Sequence, residues 1–263
     1  MSSLEAPWLR IEGRLATITL DRPDVLNAID LGWIASLQAA LDAVARSPEV
    51  CVLVVRGAGR AFCSGLDLDL LARDGMPAEL FPAQERAFRA LELLDAVTIA
   101  AIHGHCVGGG LQLAAACDLR LCSADAVLGL PAVNEGLFPA LATYRLPRLI
   151  GLGPARRLIL SGEPVAPAEA LRLGLVDYVV PAERFDVEAR AIVDRFVAAP
   201  APAARASKRL MRLAFGPFEE AYEAAEPLVG EVARSADAAR ARAAWRERRA
   251  SRAGETPGVG RSD

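Results

Sequence analysis

The residues best placed to do chemistry lie in two small-residue loops. Gly108-Gly109-Gly110 follows the apolar run Val97-Thr98-Ile99-Ala100-Ala101-Ile102 and precedes Leu111-Gln112-Leu113-Ala114-Ala115-Ala116. The first run reads as a buried strand and the second as a short apolar helix. A strand, glycines and a helix start in succession give a bare backbone that a ligand can approach closely. They also leave unpaired N–H groups and the positive end of a helix facing that ligand. This suits an anion, or an oxygen that becomes one during a reaction. Ala61-Phe62-Cys63-Ser64-Gly65-Leu66-Asp67 repeats the pattern after the short strand Val52-Leu53-Val54-Val55. Two such loops can aim two N–H groups at one oxygen. The other role open to the glycines is close helix packing. No Gly-Lys-Ser/Thr follows them, and Gly104-His105-Cys106-Val107-Gly108 lacks the spacing of a dinucleotide fingerprint.

The side chains nearby offer several chemistries. Gln112 can orient water or substrate but cannot carry a proton at neutral pH; otherwise it is a helix-face amide bonded to backbone. Glu135 can serve as acid or base if burial lifts its pKa, or can be a solvated loop residue paired with an arginine such as Arg145. His103 and His105 flank the glycine loop and titrate near neutrality, with structural hydrogen bonding the favoured role. Ser64 beside a histidine suggests a hydrolase, but Phe62-Cys63-Ser64-Gly65 is not a GxSxG elbow. Cys63 has no thiolate-stabilising neighbour in sequence. Asp67 suits the cap of a helix opening at Leu68. Arg240, Arg242, Arg246, Arg248 and Arg249 give a basic helix that reads as a solvated face, or as one touching phosphates.

The elements that must hold these residues follow from the hydrophobic pattern. Trp8-Leu9-Arg10-Ile11-Glu12 and Leu15-Ala16-Thr17-Ile18-Thr19-Leu20 alternate around Gly13-Arg14 and predict a hairpin. Asp30 is an N-cap for a helix reaching 46, with Leu31, Ile34, Leu37, Leu41 and Val44 at helical spacing. A strand at 50–55, a short helix at 66–72, a break at Asp74-Gly75-Met76-Pro77 and a helix at 80–94 come next. Beyond the glycines the pattern predicts strands at 118–122 and 126–128, then a loop at 131–139 holding Asn134 and Glu135. Short helices at 144–149, 154–160 and 167–173 and a strand at 176–180 follow. This recurrence predicts an α/β fold with parallel pairing. From about Pro200 Ala, Arg and Glu dominate, predicting helices at 203–214, 218–234 and 236–252 and a frayed end at 254–263. The expected division is a core at 1–199 and a helical region at 200–263. No repeat of 20–50 residues is visible.

The chain has 263 residues, 53% of them hydrophobic, so it can bury a large core, as one large domain or as one plus a smaller appendage. A formal net charge of -3 argues against a nucleic-acid partner. The five cysteines include no CxxC pair, which disfavours structural disulfides and a zinc site and fits reduced, cytoplasmic thiols. The first twenty residues show no signal pattern, and no uncharged run reaches about 18 residues, so no membrane span is expected.

These motifs, taken together and in order, resemble the crotonases, the enoyl-CoA hydratase/isomerase superfamily. The matching stretches are Asp21-Arg22-Pro23 with Leu26-Asn27-Ala28, the 61–67 loop, Ala101-Ile102-His103-Gly104 with Gly108-Gly109-Gly110-Leu111-Gln112-Leu113-Ala114, and Cys117-Asp118-Leu119-Arg120. Pro147-Arg148-Leu149-Ile150-Gly151 and Gly174-Leu175-Val176-Asp177 follow in register. The resemblance implies a ββα spiral core with a C-terminal α-helical region, and assembly as a homotrimer or a pair of trimers. It implies an acyl-CoA substrate, no metal and no cofactor apart from the coenzyme A of that substrate. It implies two backbone N–H groups, mapped to Ser64 and Gly109, holding the thioester oxygen as an enolate forms. It places substrate contacts at Leu26, Ala28, Ala61, Cys63, Leu66, Asp67, Gly108, Pro131, Asn134 and Trp245.

The departures from the family concern the chemistry. Relatives that hydrate carry a Glu two residues after the third glycine, where this chain has Gln112. They carry a second Glu after the next Pro, where Ala132 follows Pro131. Some isomerases carry an acid after the later Pro, where Ala140 follows Pro139. Glu135 remains as the carboxylate of this region and, with Gln112, completes the candidate catalytic set. The resemblance implies an enzyme of the hydratase/isomerase type. A decarboxylase, a thioester hydrolase and a non-catalytic acyl-CoA-binding protein stay open as alternatives.

Overall fold

A computed structural model describes residues 8–254 of the chain. The expected hairpin forms from β1 (Trp8–Glu12) and β2 (Leu15–Leu20), turning at Gly13 with a positive φ of 59°. Strand β2 alternates as its sequence does, with Ala16, Ile18 and Leu20 buried. Helix α1 (Leu31–Ala45) is capped by the Asp30 carboxylate, which accepts the Trp33 N–H at 2.7 Å. Strands β3 (Val52–Gly57) and β4 (Ala61–Cys63) lead into α2 (Leu68–Asp74) and α3 (Leu80–Leu93). The next turn is β5 (Val97–Ile102), β6 (His105–Val107) and α4 (Gly109–Ala115). It is followed by β7 (Leu119–Ser123), β8 (Val127–Gly129), a short 3-10 turn at Pro131–Glu135, α5 (Ala142–Ile150), α6 (Leu152–Ser161) and α7 (Pro167–Leu173). Then come β9 (Tyr178–Val180), α8 (Phe185–Ala198), α9 (Ala201–Met211), α10 (Phe218–Arg234) and α11 (Ala236–Gly254).

The strands form two sheets. One runs β1-β2-β3-β5-β7-β9 and the other β4-β6-β8, with every pairing parallel except β1 with β2. Each turn of chain therefore adds one strand to the large sheet, one to the small sheet, and then helix. That is a ββα spiral. Parallel strands covered on both faces need near-continuous apolar sequence, which Val52-Leu53-Val54-Val55 and Ile99-Ala100-Ala101-Ile102 supply, all buried. Two elements go beyond the sequence reading. Strand β6 occupies three residues read as loop, and α8 fills a stretch for which no element was expected. The frayed end expected at 254–263 lies, apart from Gly254, outside the described residues. The chain divides into two compact units that part at Val197 and Ala198. Among the described residues no helix is long and apolar enough to cross a membrane.

Several family-motif residues prove to be ties between strands. The Asp118 carboxylate accepts the Thr98 N–H at 2.8 Å and its hydroxyl at 3.0 Å, joining the ends of β5 and β7. Arg120, on β7, donates to Asp177 Oδ2 at 2.8 Å from its guanidinium and at 2.7 Å from its backbone. Asn27, fully buried, accepts the Arg22 N–H at 2.8 Å. Its Nδ2 lies 3.0, 2.8 and 3.2 Å from the carbonyls of Ala58, Ala61 and Phe62. Leu26 and Asn27 both have left-handed φ, 54° and 57°, which an asparagine tolerates better than most residues. Replacing Asn27 by Ala strands these carbonyls and removes that tolerance. Asn27→Ala should cost about 3 kcal/mol in guanidinium unfolding; a loss below about 1 kcal/mol would show that the loop is held by something else.

Candidate active site

The two glycine loops meet. Gly65 has φ of 95°, and a Cβ there would stand 2.9 Å from the Val107 carbonyl and 3.0 Å from the Gly109 nitrogen, so only glycine lets the loops touch. Gly110 serves the packing role, since a Cβ on it would lie 2.1 Å from the Cys63 carbonyl. The 61–67 loop is fixed from its other side. Ser64 N–H donates to the Leu26 carbonyl at 3.0 Å, Ile29 N–H to the Gly65 carbonyl at 2.7 Å, and Asp67 N–H to the Ile29 carbonyl at 3.0 Å. Ile29 and Leu66 thus form a parallel bridge. In such a bridge the residue opposite turns its own N–H away from the partner backbone. The N–H groups of Leu66 and Gly109 have no acceptor among the described residues. The expected oxyanion donor on the first loop is corrected accordingly. Ser64 lines the cavity, but its N–H is occupied by Leu26, and Leu66 carries the available one.

These N–H groups belong to residues lining a cavity of about 430 Å³. Its wall comes from both glycine loops, α2 and α3, and the 131–140 segment. Of the expected site residues, the cavity brings together Ser64, Leu66, Gly108, Gly109, Gln112, Pro131 and Glu135. Gln112 sits one turn into α4, 6% exposed, and its Oε1 is buried without a hydrogen-bond partner. It is not the backbone-bonded amide that the sequence also allowed. Glu135 lines the cavity but is exposed, not buried as the acid–base role expected, and makes no ion pair or hydrogen bond among the described residues; Arg145 is taken by Glu92 at 2.6 Å and Glu85 at 2.8 Å. Burial works to lower the Arg145 pKa, and these two carboxylates outweigh it and raise the pKa above the usual arginine value.

Other expected contacts within the first unit fall outside the cavity lining, each for a visible reason. Leu26 offers its carbonyl to Ser64, and Ala28 its carbonyl to Arg22 at 2.6 Å. Ala61 and Cys63 are buried in β4. Asp67 pairs with Arg22 at 3.7 Å, and its carbonyl takes the Leu71 N–H at the head of α2. Asn134 turns toward the end of α6, with Nδ2 3.5 Å from the Ser161 carbonyl. Trp245 stands half-exposed on α11 of the C-terminal unit. His103 Nε2 lies 3.0 Å from the Gly59 carbonyl, so it ties a loop.

The cavity also holds residues that the sequence reading passed over. Gln84 of α3 is 4% exposed, and its Oε1 is 3.8 Å from where a Gly109 Cβ would stand. Its signal was there to read. It interrupts the apolar stripe of Leu80, Ala87, Phe88 and Leu91 at a position that must face inward. Met76, Phe81 and Phe138 add exposed apolar surface to the lining.

A ββα spiral with this cavity at its glycine loops is the crotonase fold, and comparison with known proteins agrees. The enoyl-CoA hydratase/isomerase family model matches residues 10–254, so the chain belongs to the enoyl-CoA hydratase/isomerase family. It is 33% identical over 205 residues to a short-chain-enoyl-CoA hydratase of Clostridium acetobutylicum, covering 76% of this chain and 78% of that one. It is 34% identical to a crotonyl-CoA hydratase of Syntrophomonas wolfei, with the same coverage. Among solved structures, the enoyl-CoA hydratase of Mycobacterium smegmatis superposes with a TM-score of 0.85 at 31% identity, covering 92% of this chain and 96% of that one.

The structure also decides the standing of the thiols. Burial pushes the Cys63 thiol up to about 12, against a smaller lowering by a hydrogen bond from the Gly65 backbone. Burial raises Cys122 to about 12 as well, helped by Asp125. All five cysteines are buried. A thiol with a raised pKa stays protonated below that pKa, and the protonated form is not the nucleophile. A disulfide reagent at pH 8 should therefore find no fast-reacting thiol in the native protein and all five in denaturant. Rapid native modification of Cys63 would reverse this.

Proposed function

We propose that the protein acts on acyl-CoA thioesters, stabilising a thioester enolate and moving one proton between the α and γ carbons of the acyl chain. The observation that carries this reading is the pair of acceptor-free N–H groups, on Leu66 and Gly109, at a cavity lined by one carboxylate. The two N–H groups hold the thioester oxygen, where negative charge grows as the α-proton leaves. Glu135 takes that proton and returns it at the far end of the allyl system. One group acting first as base and then as acid suffices for a double-bond shift. Hydration asks for a group to activate water and another to protonate the α-carbon, and Gln112 and Ala132 withhold the usual pair. Gln112 orients without titrating. The shift is redox-neutral, so coenzyme A enters only as part of the substrate.

The rival readings have less support. A decarboxylase would place an acyl carboxylate in a cavity whose lining holds Glu135 and no Lys, Arg or His. A thioester hydrolase would need Ser64 or Cys63 as nucleophile, but Ser64 has no base among its hydrogen-bond partners and the Cys63 thiol is shut in. Trp245 keeps its assignment to the substrate on the family resemblance. The C-terminal helices carry exposed Met211, Phe215, Phe218, Tyr222 and Val229, which supports burial against further copies in a trimer or pair of trimers. Reduced, buried thiols support a cytoplasmic setting.

Glu135→Gln should lower kcat on a 3-enoyl-CoA by about 100-fold or more with little change in binding, whereas Ser64→Ala should stay within about twofold because only its backbone is engaged. Isomerisation is followed by the absorbance of the conjugated product, and near-normal turnover of Glu135→Gln would sink the assignment. Light scattering should report at least three chains per particle at micromolar concentration. A monomer would refute the assembly.

A further inference from the structure

Phe138 is the least settled residue of the cavity. It belongs to the lining, yet its side chain is 75% exposed. Its backbone is held as loosely as its ring. The chain is tied before it, where Leu137 N–H donates to the Ala132 carbonyl at 2.8 Å, and after it, where the Pro139 carbonyl accepts the Ala142 N–H at 2.9 Å. Between those ties, the N–H and carbonyl of Phe138 and the N–H of Ala140 have no partner among the described residues. Pro139 has no N–H to give. Left-handed residues stand on both sides, Gly136 with φ of 70° and Ala140 with φ of 39°. Glycine takes that conformation freely. Alanine does so rarely, and such outliers gather at sites where the strain serves a function. A stretch with so few backbone bonds moves at low cost.

From this arrangement we infer that Phe138 is a positioning residue, which folds onto the bound acyl group and shuts water away from Glu135. The inference rests on the proton-shift reading above and adds a step that the site needs. In the shift, a Glu135 carboxylate oxygen takes the α-proton, and the C–H electron pair passes into the dienolate. The same proton is then added at the γ-carbon, the double bond moves from β–γ to α–β, and the carboxylate is restored. Glu135 is exposed, so a proton held on it can be traded with solvent before it is returned. A dry carboxyl keeps its proton, and closing segments provide such dryness in enzymes generally. The free bonds lie beyond Leu137, so the ring can move while the 3-10 turn that holds Glu135 stays. Leu68, Met76 and Phe81 give the same cavity further exposed apolar surface, against which the ring and an acyl chain can be buried together.

The test runs the isomerisation of 3-hexenoyl-CoA in heavy water and reads deuterium at the γ-carbon of the product by NMR at low conversion. The natural chain should return mostly the proton it removed. Phe138→Ala should admit solvent and raise the deuterium gained per turnover at least about threefold, and Phe138→Leu, which restores apolar bulk, should bring it back toward the natural value. A residue that only steadied the fold would alter the rate without altering where the proton comes from. Full deuteration of the γ-carbon by the natural chain, or deuterium unchanged by Phe138→Ala, would overturn the inference and leave the proton-shift reading standing. A smaller particle for Phe138→Ala in light scattering would assign the ring to a contact between copies and overturn it as well. Absence of any isomerisation by the natural chain would overturn both. If Phe138→Ala does not fold, the origin of the proton in the natural chain decides alone.

Discussion

One buried side chain organises the approach to the cavity. Asn27 spends its whole carboxamide on backbone, taking the Arg22 N–H and giving to carbonyls at Ala58, Ala61 and Phe62. Backbone polar groups inside a protein must be paired, and the asparagine pairs one carbonyl of the turn after β3 and two of β4. It fastens the 22–28 segment to the 58–62 stretch. Everything beyond depends on the fastening. Leu26 is then in place to take the Ser64 N–H, and Ile29 to bridge Leu66. The freedom of the Leu66 N–H is thus what remains after its neighbours have been consumed.

The strands and helices of the parallel α/β core were largely legible in sequence because their signals are strong, whereas the spiral itself came from the family resemblance. Apolar runs at 52–55 and 97–102 announce covered parallel strands, and the spacing of Leu31, Ile34, Leu37, Leu41 and Val44 announces a helix whose cap, Asp30, behaves as its type suggests. Strand β6 escaped because three residues between glycines carry no readable alternation. The first-loop donor escaped for a subtler reason. Ser64 and Leu66 are two apart, and in an unbroken strand their N–H groups would share a side. The left-handed Gly65 between them breaks that parity. Which N–H is left over then depends on Leu26 and Ile29, some forty residues earlier in the chain. Local pattern carries no record of that pairing. Gln84 is different, since a polar residue in an apolar stripe was visible but had no partner in sequence to give it meaning.

The wall that α3 gives the cavity is held by charge. Arg145 of α5 pairs with Glu85 and Glu92 of α3 in a largely buried cluster and lies 5.9 Å over the Phe88 ring. Glu85 neighbours Gln84, so the same contact that joins the two helices also sets the rotation of α3 about its axis. Buried pairs of this kind add little net stability but resist rearrangement. The arginine that could have neutralised Glu135 is thereby spent on scaffolding, which leaves the loop carboxylate unpaired.

An amide, Gln112, stands where the family resemblance expects an acid, which limits what the site can do with protons. A bell-shaped rate profile needs one group that must be deprotonated and another that must be protonated. The lining of this cavity contains a single ionisable side chain among the described residues, Glu135. The lining therefore does not hold the two groups of opposite protonation that such a profile reports.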